Sequence, residues 1–356
     1  MRFARTLAAA AMTALLGSSL AAAQTGPVQI EFWHGLTQPL GGMLEQIATD
    51  FNASQTGYKV NASFKGQYPE VMTAAIAAFR AGNAPGIVQM FEVGTATMMA
   101  AKGAVKPVYE LMQESGLPFD PNAFVPAVKG YYSTPDGKML SMPFNSSTTI
   151  MFYNKDAFAK AGLDPEKPPK TWPETFAIGK KLKAGGAGCG VVPAWISWTQ
   201  IEQFNAWHNL PLATKANGLD GADTELKFNT PVMAKHIAAL AEAIKDKSFD
   251  YGGRTNEAEG RFISGDCAVI QTSSGFYGNV KTNAKFAFGM TELPLPRYCG
   301  CAAELDYRWR QPLGHGRQEA RGIQGHRQVL QLSVAHRCAA PEPRGDRLSA
   351  DHQGRL

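Results

Sequence analysis

The chain has 356 residues, of which 44% are hydrophobic and 18% charged. This length fits about two domains of ~150 residues, and the apolar share excludes global disorder. The net charge of +5 is uneven: residues 24–298 hold 24 basic and 24 acidic residues, whereas residues 299–356 hold nine Arg and six acids. The neutral main body lacks the clustered cations that nucleic-acid binding requires. Since no apolar run of ~18 residues follows residue 25, a multi-span membrane protein is also excluded.

The amino terminus has the pattern of a cleavable signal peptide. Arg2 and Arg5 make it positive, residues 6–20 are an apolar stretch, and residues 21–23 are three alanines that suit a cleavage site. We therefore predict that residues 1–23 are a signal peptide and that the mature protein is exported. An uncleaved anchor is the alternative, but the stretch is short for a membrane span.

Five cysteines fit an oxidising compartment loosely. Cys189 and Cys267 lie in the main body and are candidates for a disulfide, with two buried thiols as the alternative. Cys299, Cys301 and Cys338 lie further along. Their spacing is not that of a zinc site and no His pair completes it, so we predict no metal site.

The first third of the main body alternates between strand and helix patterns. In the first predicted helix the apolar positions Leu40, Met43, Leu44, Ile47, Ala48 and Phe51 share one face. The predicted strands are residues 28–33, 58–64 and 86–91, and the predicted helices are residues 40–51, 69–81 and 95–104. This alternation predicts a mostly parallel sheet with flanking helices.

The later part of the main body contains a strong helix start. Thr171 and Glu174 have the spacing of a capping box, with Pro173 in the first turn, so a helix should begin here and run to about Lys183. Further predicted elements are strands at residues 150–153 and 267–271 and helices at residues 156–161 and 231–245.

Several segments resemble a known family, the extracellular solute-binding proteins of ABC importers. The segment YNKDAFAKAGLDPEKPPKTWPE at residues 153–174 is similar to the entry segment of that family's second lobe. Other segments resemble the branch of the family that binds sn-glycerol 3-phosphate: FWH (32–34), FKGQYPE (64–70), AAFRAGNAP (77–85), FEVGTATMMA (91–100), MPFNSSTT (142–149), FNAWHNLPLATKANGLDG (204–221) and FISGDCAVIQTSSG (262–275). The resemblance extends from Val28 to about Pro296.

The resemblance implies an α/β fold of the type II periplasmic-binding-protein class, with two lobes and ligand held between them. We expect a discontinuous first lobe at residues 24–142, a second lobe at residues 143–292 and a crossover strand at residues 293–298. The implied function is that of a periplasmic substrate-binding subunit for sn-glycerol 3-phosphate and glycerophosphodiesters such as glycerophosphocholine. Such a protein is a monomer without cofactor or enzymatic activity, and it delivers ligand to membrane permease subunits.

Carried over by motif, the ligand-binding residues are Tyr68, Glu92, Ser147, Trp172 and Ser273. The two serines offer hydroxyl donors for phosphate oxygens, each beside backbone that can donate as well. Glu92 can accept from a ligand hydroxyl but should repel phosphate, which places it at the glycerol end. Trp172 offers a flat wall for the carbon skeleton.

Each of these residues also has a purely structural interpretation. Tyr68 can be a hydrophobic residue before a helix, and Glu92 can cap a helix that begins near Thr95. The serines lie in turns rich in hydroxyl side chains, and Trp172 can pack on the core. Trp195 and Trp198 are further candidates for lining the cleft, with core packing as the alternative.

Enzymatic motifs are not found: the sequence has no G-x-S-x-G, no H-E-x-x-H and no Walker loop. For His34 we expect a structural hydrogen bond. A secreted glycerophosphodiester hydrolase would need an acid–base or metal cluster, which we cannot assemble from this sequence. A maltose-type sugar binder is the alternative among binding proteins, and it would need more stacking aromatic residues.

Residues 299–356 differ in composition from the rest of the chain. They contain no Lys, Phe or Met, whereas residues 24–298 contain 20 Lys and only four Arg. A one-base shift of reading frame, with permitted codons, turns this stretch into one that resembles the continuation of the family. We therefore expect an out-of-frame, mostly irregular tail, an aberrant or missing C-terminal part of the fold, and impaired binding.

Overall fold

The computed structural model describes residues 26–101, 103–218, 220–221 and 223–294. The predicted signal peptide, most of the predicted crossover strand and the predicted out-of-frame tail lie outside these residues. Two compact units divide the chain between Met98 and Met99. The lobe boundary at residues 142/143 stays a prediction.

The first unit is built on a three-stranded, wholly parallel sheet, as the alternating pattern predicts. Its order is β2-β1-β3. The strands are β1 (Val28–His34), β2 (Tyr58–Phe64) and β3 (Ile87–Val88), and the helices are α1 (Leu40–Ser54), α2 (Tyr68–Arg80) and α3 (Glu92–Ala100). Strand β3 is shorter than predicted, because only Ile87 and Val88 pair with β1.

Helix α3 begins three residues earlier than predicted, at Glu92 rather than near Thr95. The interpretation of Glu92 as the cap of a helix starting near Thr95 is therefore wrong. The turn that opens the helix is already formed by the amide of Gly94, which donates to the carbonyl of Phe91 at 3.1 Å.

The predicted apolar face of α1 is only partly buried. Leu44 and Ala48 lie in the core, but Met43, Ile47 and Phe51 are 62%, 55% and 42% exposed. Helix α1 packs against β2, and a helix that rests on a sheet along one narrow strip leaves the sides of a wide apolar face uncovered.

The second unit contains a four-stranded mixed sheet of order β5-β6-β4-β7. The strands are β4 (Thr149–Asn154), β5 (Cys189–Pro193), β6 (Cys267–Ser273) and β7 (Phe288–Glu292). The parallel arrangement predicted for the first third of the main body does not extend to this sheet, since β4 lies between β6 and β7 and runs antiparallel to both. Strand–helix alternation is a local signal and does not reveal the direction of strands that pair across a long sequence separation.

The second unit also contains helices. They are α4 (Val108–Ser115), α5 (Pro126–Tyr131), α6 (Lys155–Lys160), α7 (Trp172–Ala184), α8 (Gln203–Trp207), α9 (Thr214–Asn217), α10 (Pro231–Lys245), α11 (Ala258–Ile263) and α12 (Tyr277–Asn283). Of these, α6, α7 and α11 contact the sheet. The predicted capping box is confirmed: the amide of Glu174 donates to the Thr171 hydroxyl, and the Glu174 carboxylate accepts from the Thr171 amide at 3.2 Å.

Two hydrophobic clusters form the core of the second unit. Met151 belongs to one cluster and Phe152 to the other, as expected for neighbouring strand residues that point to opposite faces. Cys189 and Cys267 pair in register on β5 and β6, and a disulfide joins them in the second cluster. Among the described residues, none of the helices is both long and apolar enough to cross a membrane.

Candidate functional site

The predicted ligand residues of the first unit lie at one edge of its sheet. Strands β1, β2 and β3 are parallel, so their carboxyl ends share an edge, which is where open α/β sheets bind ligands. Tyr68 is the first residue of α2 and Glu92 the first residue of α3, and each helix follows a strand that ends at this edge. The fold thus brings both residues to the same edge.

Tyr68 is held by close packing on two sides. Its ring stacks on the ring of Phe91, with centroids 5.4 Å apart and planes 10° apart. On the other side, a Cβ atom at Gly35 would lie 2.7 Å from the Tyr68 ring and 3.0 Å from the Tyr68 amide nitrogen. Only glycine fits at position 35 without displacing the start of α2.

A buried glutamine links Gly35 to the neighbouring strand. The backbone amide of Gly35 donates to the side-chain oxygen Oε1 of Gln89 at 3.2 Å. The backbone amide of Gln89 donates to the carbonyl of Trp33 at 2.9 Å. Gln89 therefore ties the residue after β1 to the residue after β3 at the edge that carries Tyr68. Sequence reasoning missed Gln89 because nothing in its local pattern marks it.

His34 does not make the structural hydrogen bond that we predicted. Neither ring nitrogen has a hydrogen-bond partner among the described residues, and the nearest carboxylate oxygen, on Glu45, is 3.9 Å from Nε2. The side chain is fully buried beside the rings of Phe32 and Phe64. Burial lowers the pKa of His34, so the imidazole is a neutral packing group.

In the second unit, the structure brings Ser147 and Ser273 together. Ser147 lies two residues before the first residue of β4, Thr149, which pairs antiparallel with Ser273 at the end of β6. The residues that follow the two serines are joined by two hydrogen bonds: the Thr148 amide donates to Ser274 Oγ at 3.1 Å, and the Ser274 amide donates to the Thr148 carbonyl at 2.8 Å. The segment that leads into β4 and the end of β6, both with hydroxyl side chains, are therefore hydrogen-bonded neighbours at this end of the sheet.

The Ser273 side chain also has a local structural role. Its hydroxyl oxygen accepts a hydrogen bond from the Gly275 amide at 3.0 Å and so caps the 3₁₀ turn Ser274–Phe276. A hydroxyl that accepts through oxygen still has its own hydrogen to donate. Ser273 can therefore cap this turn and donate to an anionic oxygen at the same time.

Trp172 begins α7 and is only 2% exposed, which is the core packing that the structural interpretation predicts. Its ring contacts the rings of Phe176 and His236 at centroid distances of 5.7 and 4.5 Å. One side of Trp172 borders a cavity of about 10 Å³, which has room for about one water molecule. The other residues that line this cavity are Thr199, Gln203, Phe204, Trp207, His208, Leu293 and Pro294. A role of Trp172 in ligand binding stays a prediction.

Trp195 and Trp198 are both half-buried. Trp195 has a left-handed backbone conformation, with φ of 53°, and its amide donates to the Thr255 carbonyl at 2.7 Å. It packs against the second hydrophobic cluster, whereas Trp198 begins a π-helical turn (Trp198–Glu202). Core packing thus accounts for Trp195.

Sequence reasoning missed the polar residues that surround the end of β6. Gln271 and Thr272 are fully buried; Gln271 Oε1 accepts from Gln200 Nε2 at 2.7 Å, and the Thr272 hydroxyl donates to Glu259 Oε1 at 3.1 Å. The available signal was the change from the apolar CAVI to the polar QTSS along residues 267–274. Within the described part of the chain, no group of three or more His, Cys, Asp or Glu is placed to hold a metal ion.

Comparisons with known proteins agree with these features. A model of the family described as bacterial extracellular solute-binding protein matches residues 46–314. The sn-glycerol-3-phosphate-binding periplasmic protein UgpB of Escherichia coli strain K12 is 49% identical over 280 residues, which are 78% of this chain and 64% of that protein. The chain thus spans less than two thirds of this relative's length.

Solved structures show the same fold. UgpB from Mycobacterium tuberculosis, in complex with glycerophosphocholine, has a TM-score of 0.64 and 23% identity over 76% of this chain and 68% of that one. The cyclic alpha-maltosyl-1,6-maltose binding protein from Arthrobacter globiformis has a TM-score of 0.56 and 25% identity over 76% and 67%. The predicted α/β fold of periplasmic binding proteins is confirmed.

Proposed function

This chain belongs to the bacterial extracellular solute-binding proteins, and on that premise we propose that it is the substrate-binding subunit of an ABC importer for sn-glycerol 3-phosphate and glycerophosphodiesters. The observation that carries the proposal is the 49% identity over 280 residues with the E. coli glycerol-3-phosphate-binding protein. In this role the protein acts in the periplasm as a monomer and delivers its ligand to membrane permease subunits.

The chemistry of the second unit supports an anionic ligand. Ser147, just before β4, and Ser273, the last residue of β6, lie at one end of the mixed sheet, and hydroxyl groups that donate to an ionised oxygen make strong hydrogen bonds. In the first unit, Glu92 and Tyr68 share the carboxyl edge of the parallel sheet. We assign Glu92 to the glycerol hydroxyls, since its carboxylate would repel phosphate.

We also propose that the protein is a binder and not an enzyme. A secreted glycerophosphodiester hydrolase needs a general acid and base or a bound metal. The sequence contains none of the common hydrolase motifs, and the ligand residues that we propose are those of a binding site: hydroxyls, one carboxylate and aromatic rings.

The test is calorimetric titration with sn-glycerol 3-phosphate, glycerophosphocholine and maltose. For the chain in which the reading frame of residues 299–356 is restored, we expect binding of the phosphate compounds and none of maltose. Because a hydrogen bond to a charged group contributes about 1.5–3 kcal/mol, Ser147→Ala and Ser273→Ala should each weaken binding at least about tenfold. Ser264→Ala, at an exposed serine of the same unit, is the matched control and should bind as the parent does.

Because the composition of residues 299–356 predicts an out-of-frame tail and weak binding, the titration includes a second chain in which the frame of that stretch is restored. Binding of maltose without binding of either phosphate compound would establish the sugar-binder alternative. Failure of both chains to bind any glycerol phosphate ester would refute the proposed function.

A further inference from the structure

Strand β6 changes character along its length. Its first four residues, Cys267 to Ile270, are apolar and fully buried, but the next two, Gln271 and Thr272, are polar and equally buried. Burying a polar side chain costs free energy unless it is hydrogen-bonded. Two such residues in succession, directly before Ser273, indicate that the end of this strand is held in place for a reason other than core packing.

Each face of the strand end is tied to a different element. Neighbouring strand residues point to opposite faces, and Gln271 accepts from Gln200 of the π-helical turn at 2.7 Å. On the other face, the Thr272 hydroxyl donates to the Glu259 carboxyl group of α11 at 3.1 Å. The backbone of the strand is therefore fixed from both sides one and two residues before Ser273.

We propose that Glu259 is a positioning residue for Ser273, acting through the Thr272 hydroxyl, while the Gln200–Gln271 hydrogen bond holds the opposite face of the strand. The proposal rests on the proposed function in one respect, that Ser273 is a ligand contact. In this view, the turn Ser274–Phe276 stays closed only while the Thr272 hydroxyl is hydrogen-bonded to Glu259.

The surroundings of Glu259 fit this role. Burial raises the pKa of Glu259 to about 7, with the Thr272 hydrogen bond acting in the opposite direction. The cation nearest along the helix, Arg261, is engaged by the carboxylates of Asp250 and Asp266 at 3.0 and 2.7 Å. Glu259 is therefore not held by an ion pair with Arg261, and the hydroxyl of Thr272 is the contact through which it acts on the strand.

Hydrogen exchange in the full chain tests the proposal without ligand. The probes are the amides of Ser274 and Gly275, which donate to Thr148 and to the Ser273 hydroxyl. Loss of a buried hydrogen bond should speed local opening about five- to tenfold, so Glu259→Ala and Thr272→Val should accelerate exchange at both amides by that factor. Glu259→Gln and Thr272→Ser keep an acceptor and a hydroxyl and should remain close to the parent.

A matched control separates positioning from general destabilisation. Ser248 is fully buried, and its hydroxyl donates to the Ala243 carbonyl at 3.1 Å, so Ser248→Ala deletes a comparable hydrogen bond elsewhere in the same unit. Exchange at Ser274 and Gly275 should not change in this variant. Should Glu259→Ala fail to fold, Thr272→Val removes the same contact and decides the matter.

The two proposals fail in different experiments. Unchanged exchange in Thr272→Val, or equal acceleration in Ser248→Ala, overturns the role of Glu259 whatever the protein binds. Failure of both the 356-residue chain and the frame-restored chain to bind any glycerol phosphate ester, with the predicted exchange pattern, overturns only the proposed function. In the frame-restored chain, Glu259→Ala should weaken the affinity for glycerol 3-phosphate about five- to tenfold, whereas Glu259→Gln should leave it close to that of the parent.

Discussion

Trp172 and His236 lie edge to face in the core of the second unit, with ring centroids 4.5 Å apart and planes at 64°. Phe204 stacks on the other side of the imidazole at 3.9 Å. Burial in this aromatic surrounding, together with a smaller effect of the nearby His208, lowers the pKa of His236 to about 3. Helix α7, which begins at Trp172, is therefore packed against an imidazole that must stay neutral.

The first prediction is that the unit loses stability in acid through His236. Because the pKa of His236 is about 3 in the folded state and ~6.5 in the unfolded state, only the unfolded chain takes up a proton between these values. Stability from this residue is present above pH ~6.5 and falls by at most ~1.4 kcal/mol per pH unit below it. Urea unfolding at pH 7, 6, 5 and 4 measures this slope.

The matched variant for this measurement is His236→Phe, which keeps a ring between Trp172 and Phe204 and cannot titrate. Between pH 6 and pH 4, the slope of its free energy of unfolding against pH should be smaller than the parent's by ~1.4 kcal/mol per pH unit, which corresponds to one proton. Carboxylates elsewhere titrate in both proteins and cancel in the difference. Identical slopes would show that His236 is not kept neutral by the fold.

The second prediction separates the packing of Trp172 from its proposed contact with ligand. Since the side chain is 2% exposed, Trp172→Ala should lower the free energy of unfolding by about 3–5 kcal/mol. Trp172→Phe should cost less, because an aromatic ring still fills most of the site. If Trp172 also forms a wall of the ligand site, titration of the frame-restored chain should show binding weakened by roughly 1–3 kcal/mol by Trp172→Ala. Tryptophan fluorescence of the frame-restored chain without this substitution should then change on addition of glycerophosphocholine. Unchanged affinity in a folded variant removes Trp172 from the ligand site.

The third prediction concerns Cys189 and Cys267, which the structure joins across β5 and β6 with their Cα atoms 4.6 Å apart. The sequence separation is 78 residues, and closing a loop of that length stabilises the folded state by about 4 kcal/mol in the chain-entropy model. Mass spectrometry of unreduced peptides should find Cys189 linked to Cys267. The double variant Cys189→Ser, Cys267→Ser should unfold at a lower urea concentration than the parent. Two freely alkylated thiols at these positions would exclude the bond, and Cys338→Ser is the control.

The fourth prediction concerns residues 299–356, which lie outside the described residues. Their lack of Lys, Phe and Met against 20 Lys in residues 24–298 predicts a shifted reading frame, which nucleotide sequencing around codons 296–303 reads directly. A binder that closes on its ligand needs both lobes complete, so the chain as written should bind glycerol 3-phosphate weakly or not at all. Restoring the frame should recover both binding and solubility. Tight binding by the 356-residue chain, with its tail protected from proteolysis, would contradict this prediction.

Much of the local structure followed from the sequence alone. The capping box of Thr171 and Glu174 was predictable because its hydrogen bonds join residues three apart. The bounds of β1, β2 and α10 were close to those predicted, since apolar periodicity reports which face of one element is buried. The segments that carry Ser147 and Ser273 were recognised by resemblance, without any view of how they meet.

Only the tertiary structure decided what depends on contacts between distant segments. It showed that β4 runs antiparallel to β6 and β7, and that Met43, Ile47 and Phe51 stay exposed although they share a face with Leu44. It also joined Gln200 to Gln271 across 71 residues and Glu259 to Thr272 across 13. Local sequence determines backbone preference and the amphipathic pattern of each element. The hydrogen-bond partner of a buried polar side chain depends on how separate elements pack, and this packing produces no periodic pattern in the sequence.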